Sequence, residues 1–285
     1  MNPNDTAAPS RSVRLYAASM RALVRAFAAA RAFGAGIWLG LLSRRRLHEI
    51  DALYYDGAFG GSAGGIDYAS RDHNTRGLFA WERAAIDRSF AGRRRLLLLG
   101  AGGGREVIAL RRLGFHVDAF DCNPRLAAAG SRIIANEASG APIAIVERDA
   151  CPTGDVDYDG LIVGWGAYML IAGRDRRIAL LRAMRSRAHP GSPLLISFFE
   201  REPITRSERL TAAIANTIRA LSLRPRIDLG DTLAPNFLHY FTRAQIQAEL
   251  DEAGFDLHRY STAGYGHAVG VSRPPQQNVA PTAGG

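Results

Sequence analysis

The stretch that most constrains this chain is LLLLGAGGGREVIAL, residues 96–110. Four leucines run directly into a turn in which Gly100, Gly102, Gly103 and Gly104 fill four of the five positions. A continuous apolar run of this kind predicts a strand that is buried on both faces of a parallel sheet. A helical pattern follows the turn, and glycines between a strand and a helix let the backbone approach a nucleotide-like ligand.

Strand and helix patterns alternate from residue 93 onward, which is typical of a parallel sheet flanked by helices. Strands are predicted at residues 96–100, 115–121, 143–147, 160–163 and 194–199, with two more around 257–261 and 268–271. Helices are predicted at 105–113, 126–138, 174–188 and 242–254, the last opened by a capping box of Thr242 and Gln245. The predicted fold class is therefore α/β: a Rossmann-like, mostly parallel seven-stranded sheet with helices on both faces, plus an N-terminal helical cap. The ligand is expected at the carboxyl ends of the strands.

The chain is predicted to have three segments. Residues 1–90 form a cap region that contains a basic amphipathic helix, and residues 91–272 form the main domain. Within that domain, residues 201–241 are an insertion after the fifth strand, with a helical stretch near 205–223. Residues 273–285 (RPPQQNVAPTAGG) are rich in proline, glycine and polar residues, which predicts a disordered tail.

The formal net charge of +9 invites a nucleic-acid interpretation. However, all 36 basic residues are arginine, and together with the many alanines and glycines this indicates a GC-rich genome. A nucleic-acid partner is therefore not expected. The two cysteines, Cys122 and Cys151, form neither a metal cluster nor a disulfide framework and indicate a reducing compartment. The expected location is cytoplasmic, with peripheral membrane contact through residues 11–42 left open.

The N-terminal segment is a basic amphipathic helix by its spacing, since residues 6–48 hold eight arginines and no acidic residue. One side carries Val13, Tyr16, Met20, Leu23, Val24 and Phe27, and the other carries Arg11, Arg14, Arg21 and Arg25. One interpretation is a membrane-surface anchor or targeting peptide. The favoured one is a helix that lays its apolar side on the domain and caps the site. A transmembrane span is not expected here, because the longest uncharged stretch of this segment, 32–43, has 12 residues and a bilayer needs about 20.

The spacing of the glycines narrows the class of ligand. In the dinucleotide-binding pattern G-x-G-x-x-G, Gly100 and Gly102 match the first two glycines, but Arg105 stands at the third. A triphosphate-binding loop requires a lysine after the glycines, and none follows here. Asp121 ends the next predicted strand, 17 residues after Gly104, where a carboxylate accepts hydrogen bonds from a ribose diol. The pair Asp149–Ala150 follows the third strand, where an adenine edge is expected.

Four segments in this order, LLLLGAGGG, DAFDCNP, ERDA and YDGLIVGWGAY, resemble the motifs of class I S-adenosylmethionine-dependent methyltransferases. The resemblance covers roughly residues 93–272 and implies methyl transfer with S-adenosyl-L-methionine as cofactor. It implies that the glycine turn faces the methionine part, that Asp121 holds the ribose hydroxyls and that Asp149 faces the adenine amine. The cofactor-binding residues so implied are Gly100, Gly102, Gly104, Asp121, Cys122, Asn123, Asp149, Ala150, Gly164 and Trp165, with the last two under the sulfonium.

One position departs from the pattern of this family. An acidic residue usually stands two positions before the first glycine and organises the amino end of methionine, and here that position is Leu98. Weaker binding is one consequence. The other is that Glu106 or a residue of the N-terminal cap takes over the role.

The acceptor is expected to be a small molecule, because specialised patterns are missing. The turn after the fourth strand is GWGAY, not the (N/D)PPY type of DNA amino-methylation, and Cys151–Pro152 reverses the pair needed for cytosine C5 methylation. The sequence has no pair of acidic residues that would indicate a metal-assisted catechol site. The substrate pocket is predicted from Tyr54, Tyr55, Tyr168, His239, Tyr240 and Tyr265, and His239, Tyr240 and His267 are the candidates for a general base.

Other functions stay open from the sequence alone. One is an RNA methyltransferase whose arginine-rich N-terminal segment binds the phosphates of the RNA. Another is a non-catalytic membrane- or partner-binding protein that keeps the fold, which the departure at Leu98 leaves possible. A nicotinamide oxidoreductase is disfavoured by Arg105. Neither the methylated atom nor the oligomeric state follows from the sequence.

Overall fold

The computed structural model of the protein describes residues 10–57, 65–154, 156–201, 204–233 and 235–274. These residues group into two compact units, one from 10–43 and 204–233 and the other from the described residues between 44 and 201 and between 235 and 274. The helices and strands fall as follows: α1 Arg11–Leu41, α2 Arg44–Tyr55, α3 Arg71–Thr75, α4 Ala80–Ser89, β1 Arg95–Leu99, α5 Arg105–Arg112, β2 His116–Asp121, α6 Pro124–Glu137, β3 Ala144–Ile145, β4 Gly160–Val163, α7 Arg174–Arg185, β5 Pro193–Glu200, α8 Arg206–Leu221, β6 Asp231–Leu233, β7 Phe237–Phe241, α9 Arg243–Ala253, β8 Phe255–Ser261 and β9 Gly266–Ser272.

The second unit is built on a mostly parallel sheet. Its first five strands lie in the order β3-β2-β1-β4-β5, and all four of these pairings are parallel. Strand β9 runs antiparallel to β5 and pairs in turn with β8. Strand β7 adds a short parallel pairing at the end of β5, Phe199 with Tyr240 and Glu200 with Phe241. The predicted α/β, Rossmann-like architecture is thus confirmed.

The strand count is a correction, because the described residues hold nine strands where seven were expected. The additional strands are β6 and β7, both within the predicted insertion 201–241. They escaped the sequence analysis because β6 is only three residues long and too short for an alternating pattern. The helical stretch predicted in the same insertion is present as α8.

The four leucines of β1 serve both faces of the sheet. Leu96 and Leu98 belong to one apolar cluster with residues of α4, α5 and α6, whereas Leu97 and Leu99 belong to another with residues of α7 and α9. Successive side chains of a strand point to opposite faces, so a strand covered by helices on both sides needs apolar residues at every position. This explains why LLLL shows no alternation.

The first unit is a pair of helices, α1 and α8, with β6. A Cβ built at Gly36 of α1 would lie 2.9 Å from Cβ of Ile214, and one built at Gly40 would lie 2.8 Å from Cβ of Ile218, both on α8. Larger residues at these two positions would push the helices apart. The glycines therefore set the close approach of the two helices.

Polar side chains of α8 complete this contact. Thr211 donates a hydrogen bond of 3.1 Å to the carbonyl oxygen of Ala32, and the guanidinium of Arg219 donates one of 2.7 Å to the carbonyl oxygen of Leu39. The last carbonyls of a helix have no partner within it, so Arg219 satisfies part of the C-terminal end of α1.

The favoured expectation that α1 lays its apolar side on the protein is wrong. The side chains of Val13, Tyr16, Leu23, Val24 and Phe27 are all more than half exposed. The buried residues of α1 are Ala32, Gly36, Leu39 and Gly40. Small residues permit closer backbone contact than the bulky apolar side does, and this decides which face packs.

Among the described residues, α1 is the one helix long and apolar enough to cross a membrane, by length and composition alone. Core helices of soluble proteins and N-terminal signal sequences meet the same criterion. Arg21, Arg25 and Arg31 divide this helix, so the longest uncharged run of this segment remains the 12 residues 32–43. The predicted domain boundaries at residues 90 and 272 remain predictions, and most of the predicted tail, 275–285, lies outside the described residues.

Candidate functional site

A cavity of about 560 Å³ lies in the second unit at the carboxyl ends of the parallel strands. The segments that follow β1, β2, β3 and β4 all contribute to its wall. Of the cofactor-binding residues predicted from the sequence, eight line it: Gly100, Gly102, Asp121, Cys122, Asn123, Asp149, Ala150 and Trp165. Parallel strands present all their carboxyl ends at one edge, so residues far apart in the chain meet there.

The glycine turn shapes one end of the cavity. Gly102 lines it with a backbone φ of +53°, and a Cβ built there would meet no protein atom within 4 Å. Packing therefore does not exclude a side chain at Gly102, whereas a Cβ at Gly103 would collide with the carbonyl oxygen of Tyr68. The open space beside Gly102 is what a cofactor lying against the turn requires.

Asp121 connects this turn to the end of β2. Its Oδ2 accepts a hydrogen bond of 2.6 Å from the backbone N–H of Gly102, and its Oδ1 accepts one of 2.7 Å from the backbone N–H of Asn123. The residue is 6% exposed, and burial raises the pKa of its carboxyl against the lowering effect of these N–H donors. Each carboxylate oxygen has a second lone pair, so both can also accept from a ligand hydroxyl.

The segment after β3 forms the far wall and carries paired charges. Asp149 pairs with Arg176 of α7 at 3.3 Å, and Arg148 pairs with the fully buried Asp51 of α2 at 3.2 Å. Burial raises the pKa of Asp51 to about 6, and Arg148 opposes that shift. These pairs fix α2 and α7 against the segment in which Asp149 lies.

Helix α2 covers part of the cavity through Arg44, Arg45, His48, Ala52 and Tyr55. Burial, followed by the charge of Arg148, lowers the pKa of His48 to about 4, so this imidazole is neutral at pH 7. Tyr55, which the sequence predicts for the substrate pocket, is the last residue of this helix and lines the cavity. Tyr54 does not line the cavity and instead meets Tyr55 edge-on, with ring centroids 5.5 Å apart.

Trp165, directly after β4, is held by buried charges. Its backbone N–H donates a hydrogen bond of 2.7 Å to Glu106, which also contacts Arg105 at 3.3 Å. Arg105 in turn donates two hydrogen bonds of 2.6 Å to Glu82. Arg105 stands where the dinucleotide pattern has its third glycine, and in this protein it forms a buried ion pair with Glu82.

The position of the family's usual acid is apolar in structure as well as in sequence. Leu98 is fully buried inside the sheet, and Glu106 is committed to Arg105 and to the backbone of Trp165. Neither residue lines the cavity. The wall near the glycine turn is aromatic instead, with Tyr68 between Tyr55 and Trp165 at centroid distances of 5.3 and 6.1 Å.

The remaining predicted site residues lie outside the cavity wall. Gly104 caps α5, and the backbone N–H of Gly164 donates to the carbonyl oxygen of Leu99. Tyr168 and His239 are fully buried beside Phe241. The hydroxyl of Tyr168 donates a hydrogen bond of 2.6 Å to Glu249 of α9, whereas His239 is a buried residue of β7 itself.

Three further predicted residues lie in ring clusters. Tyr240 stacks on Phe199 with centroids 5.4 Å apart. Tyr265 meets Trp165 edge-on at 5.8 Å, and His267 lies over the ring of Trp81 at 5.0 Å. His267 Nδ1 is 2.7 Å from the carbonyl oxygen of Tyr265. None of the three candidates for a general base, His239, Tyr240 and His267, is part of the cavity wall.

Several wall residues were not predicted from the sequence: Tyr68, His48, Arg148 and Arg176. Arg148 directly precedes Asp149 in the ERDA motif, so the position of Asp149 was a signal from which Arg148 could have been predicted. Tyr68, His48 and Arg176 come from segments outside every quoted motif, and only the packing of α2, α7 and the segment before α3 brings them to the wall.

This arrangement defines the class of the protein by its fold: it has the class I methyltransferase fold. No family model matches the sequence, and no curated protein matches it. Among solved structures, it is similar to an S-adenosylmethionine-dependent methyltransferase from Methanosarcina mazei, at 14% identity and a TM-score of 0.55, over 70% of this chain and 100% of the other.

Two further solved structures show the same fold. A sugar N-methyltransferase from Streptoalloteichus sp. is 16% identical with a TM-score of 0.50, over 78% of this chain and 92% of the other. The glycopeptide N-methyltransferase MtfA, solved with S-adenosylmethionine, is 17% identical with a TM-score of 0.50, over 70% of this chain and 88% of the other.

Proposed function

We propose that this protein transfers a methyl group from S-adenosylmethionine to a small-molecule acceptor. The observation that carries the proposal is the convergence of Gly102, Asp121 and Asp149 on one cavity at the carboxyl ends of β1, β2 and β3. The fold shared with solved methyltransferases supports it. Two proteins that share this fold are N-methyltransferases, one of a sugar and one of a glycopeptide, which agrees with a small acceptor.

The residues of the cavity fit the parts of this cofactor. Asp121 would accept hydrogen bonds from the ribose hydroxyls, and Asp149 would accept one from the adenine amine. The backbone at Gly100 and Gly102 would lie against the methionine part, with Cys122 and Asn123 along the edge of the ribose. When bound, the cofactor supplies a methyl group on a positively charged sulfur, which is already activated for displacement.

The chain's own contribution is then positioning and exclusion of water. Helix α2 covers the cavity, and Trp165 is fixed by Glu106 at the end of β4. In-line displacement requires the nucleophile, the methyl carbon and the sulfur to be nearly collinear, so holding both partners supplies most of the acceleration. A general base is needed only for an acceptor that must lose a proton, and we assign none.

The aromatic wall compensates for the missing acid at Leu98. Tyr55, Tyr68 and Trp165 present electron-rich rings near the glycine turn. Such rings attract cations, with about 0.5–2 kcal/mol for one contact depending on desolvation. We propose that these rings stabilise the ammonium or the sulfonium of the cofactor in place of a carboxylate.

Calorimetric titration of the purified chain tests the proposal, with S-adenosylmethionine, its demethylated product and NAD as ligands. We expect saturable binding of the first two and none of NAD. A methyl-labelled cofactor then screens acceptors for transfer. Binding of NAD alone would support an oxidoreductase, and binding of none of the three would support a non-catalytic protein that keeps the fold.

A further inference from the structure

Helix α1 carries a stripe of exposed apolar side chains that Arg31 and Gly34 interrupt. Residues along an α-helix are spaced by about 100°, and by this spacing eight large apolar side chains share one side of α1. They are Val13, Tyr16, Met20, Leu23, Val24, Phe27, Trp38 and Leu41, and they are between 39% and 67% exposed. Most of the stripe lies between Val13 and Phe27, and Arg31 and Gly34 separate this part from Trp38 and Leu41 near the end of the helix.

The packing of α1 on α8 leaves this stripe free. Gly36 and Gly40, which contact Ile214 and Ile218 of α8, lie on the opposite side of the helix. The stripe therefore does not belong to the interface that holds the helix pair together. An exposed apolar surface of this extent marks a contact with a membrane or another molecule.

The positive charge of the same unit indicates an anionic partner. Residues 10–43 and 204–233 contain ten arginines and three acidic residues, so they carry +7 of the chain's formal charge of +9. Arg11, Arg14, Arg21 and Arg25 are exposed and lie on the side of α1 opposite the stripe. An amphipathic helix with an arginine-rich polar face and aromatic and aliphatic residues on the other face lies in the surface of an anionic bilayer.

We propose that α1 binds the surface of membranes that contain anionic phospholipid, with its apolar stripe toward the acyl chains. A nucleic acid would satisfy the arginines but would leave the stripe in water. A span is disfavoured because Arg21, Arg25 and Arg31 interrupt the helix, whereas the long arginine side chains of a helix lying in the surface reach the headgroups. This proposal is independent of the methyl-transfer function.

Co-sedimentation of the full chain with lipid vesicles tests it. We expect binding to vesicles of phosphatidylcholine mixed with phosphatidylglycerol, weaker binding to phosphatidylcholine alone, and loss of binding as salt increases. The variant with Leu23→Gln and Phe27→Gln should bind the mixed vesicles at least about tenfold more weakly than the wild type. Two apolar side chains that leave water in the wild type are replaced by polar ones. Both side chains are exposed, so the fold should be unchanged by circular dichroism.

The control is Leu113→Gln, which removes an exposed leucine of the second unit and should bind vesicles as the wild type does. Unchanged vesicle binding by the double variant would overturn the proposal. So would binding to single-stranded RNA without binding to vesicles, or retention of the protein in the membrane after alkaline carbonate extraction. Calorimetry with S-adenosylmethionine on the double variant keeps this result separate from the methyl-transfer function.

Discussion

Asp121 and Gly102 are joined by a hydrogen bond of 2.6 Å, which the backbone N–H of Gly102 donates to Oδ2 of Asp121. The last residue of β2 thereby fixes the turn that follows β1. The carboxylate that we propose to hold the ribose is also the group that shapes the glycine turn. Cofactor binding and the local stability of the turn are therefore coupled through one side chain.

This coupling predicts the behaviour of Asp121→Asn. The affinity for S-adenosylmethionine should fall about tenfold or more, because hydrogen bonds to a charged group contribute roughly 1.5–3 kcal/mol. The free energy of unfolding should also fall. Calorimetry and urea denaturation measure the two effects. The matched control is Asp118→Asn on the same strand, which pairs with Arg95 and lies outside the cavity. Wild-type affinity in Asp121→Asn would show that the carboxylate serves the turn alone.

The aromatic wall predicts a difference between two substitutions of Tyr68. Tyr68→Leu should weaken the binding of S-adenosylmethionine by about 2- to 30-fold, because it removes a cation–π contact, whereas Tyr68→Phe should retain binding. The demethylated product carries the ammonium but no sulfonium, so titrating both ligands shows which cation the ring stabilises. Equal losses in the leucine and phenylalanine variants would contradict a role for the ring.

The ion pair of Arg105 and Glu82 predicts strong destabilisation when only one partner is removed. Both side chains are 3% exposed, and an unpaired charge left in such a place costs about 3–5 kcal/mol. Arg105→Met and Glu82→Leu should each lower the free energy of unfolding by that order. The double variant should recover part of the loss, because both charges of the pair are removed together. Glu106 then loses Arg105 but still accepts the hydrogen bond from the backbone of Trp165. A double variant less stable than either single one would argue against this account.

The contact between α1 and α8 predicts opposite effects at two glycines of one helix. Gly36→Ala should lower the free energy of unfolding by about 1–3 kcal/mol, since its Cβ would lie 2.9 Å from Ile214. Gly34→Ala is the matched control, because a Cβ there meets nothing within 4 Å and alanine favours the helix by about 1 kcal/mol. Urea denaturation should give opposite signs, and equal stabilisation by both substitutions would contradict the close contact.

The neutral His48 predicts a dependence of stability on pH. Its pKa is lowered from 6.5 to about 4, so between these pH values the unfolded chain binds a proton that the folded protein does not. Its contribution to stability is therefore present above about pH 6.5 and is lost as the pH falls toward 4. Asp51, with its pKa raised to about 6, acts in the opposite sense.

Because His48 and Asp51 act in opposite senses, the effect of His48 is measured by comparing the pH dependence of stability in the wild type and in His48→Gln. His48→Gln should lose less stability than the wild type when the pH is lowered from 6.5 to 4, as measured by urea denaturation at each pH. The two proteins should have parallel pH profiles above pH 7. Parallel profiles over the whole range would show that His48 is not held neutral by the fold.

The candidate site was predictable where its residues lie at the ends of strands. Asp121 and Asp149 follow recognisable strands, and the glycine turn identifies the cavity end formed by β1. Tyr168 and His239 were assigned to the substrate pocket by residue type, but both are fully buried outside the cavity wall. Tyr168 contacts Glu249 of α9, and His239 lies within β7. A tyrosine or histidine has the same local signature in either place.

The sequence by itself determined the alternation of strands and helices, the turn after β1 and the capping box of α9, because each depends on residues close together in the chain. The tertiary structure decided that Arg105 pairs with Glu82, that Tyr68 joins the cavity wall, and that α1 packs through Gly36 and Gly40. These contacts join residues separated by tens to well over a hundred positions. Their energy depends on how closely two surfaces fit, and no local pattern of residues encodes that fit.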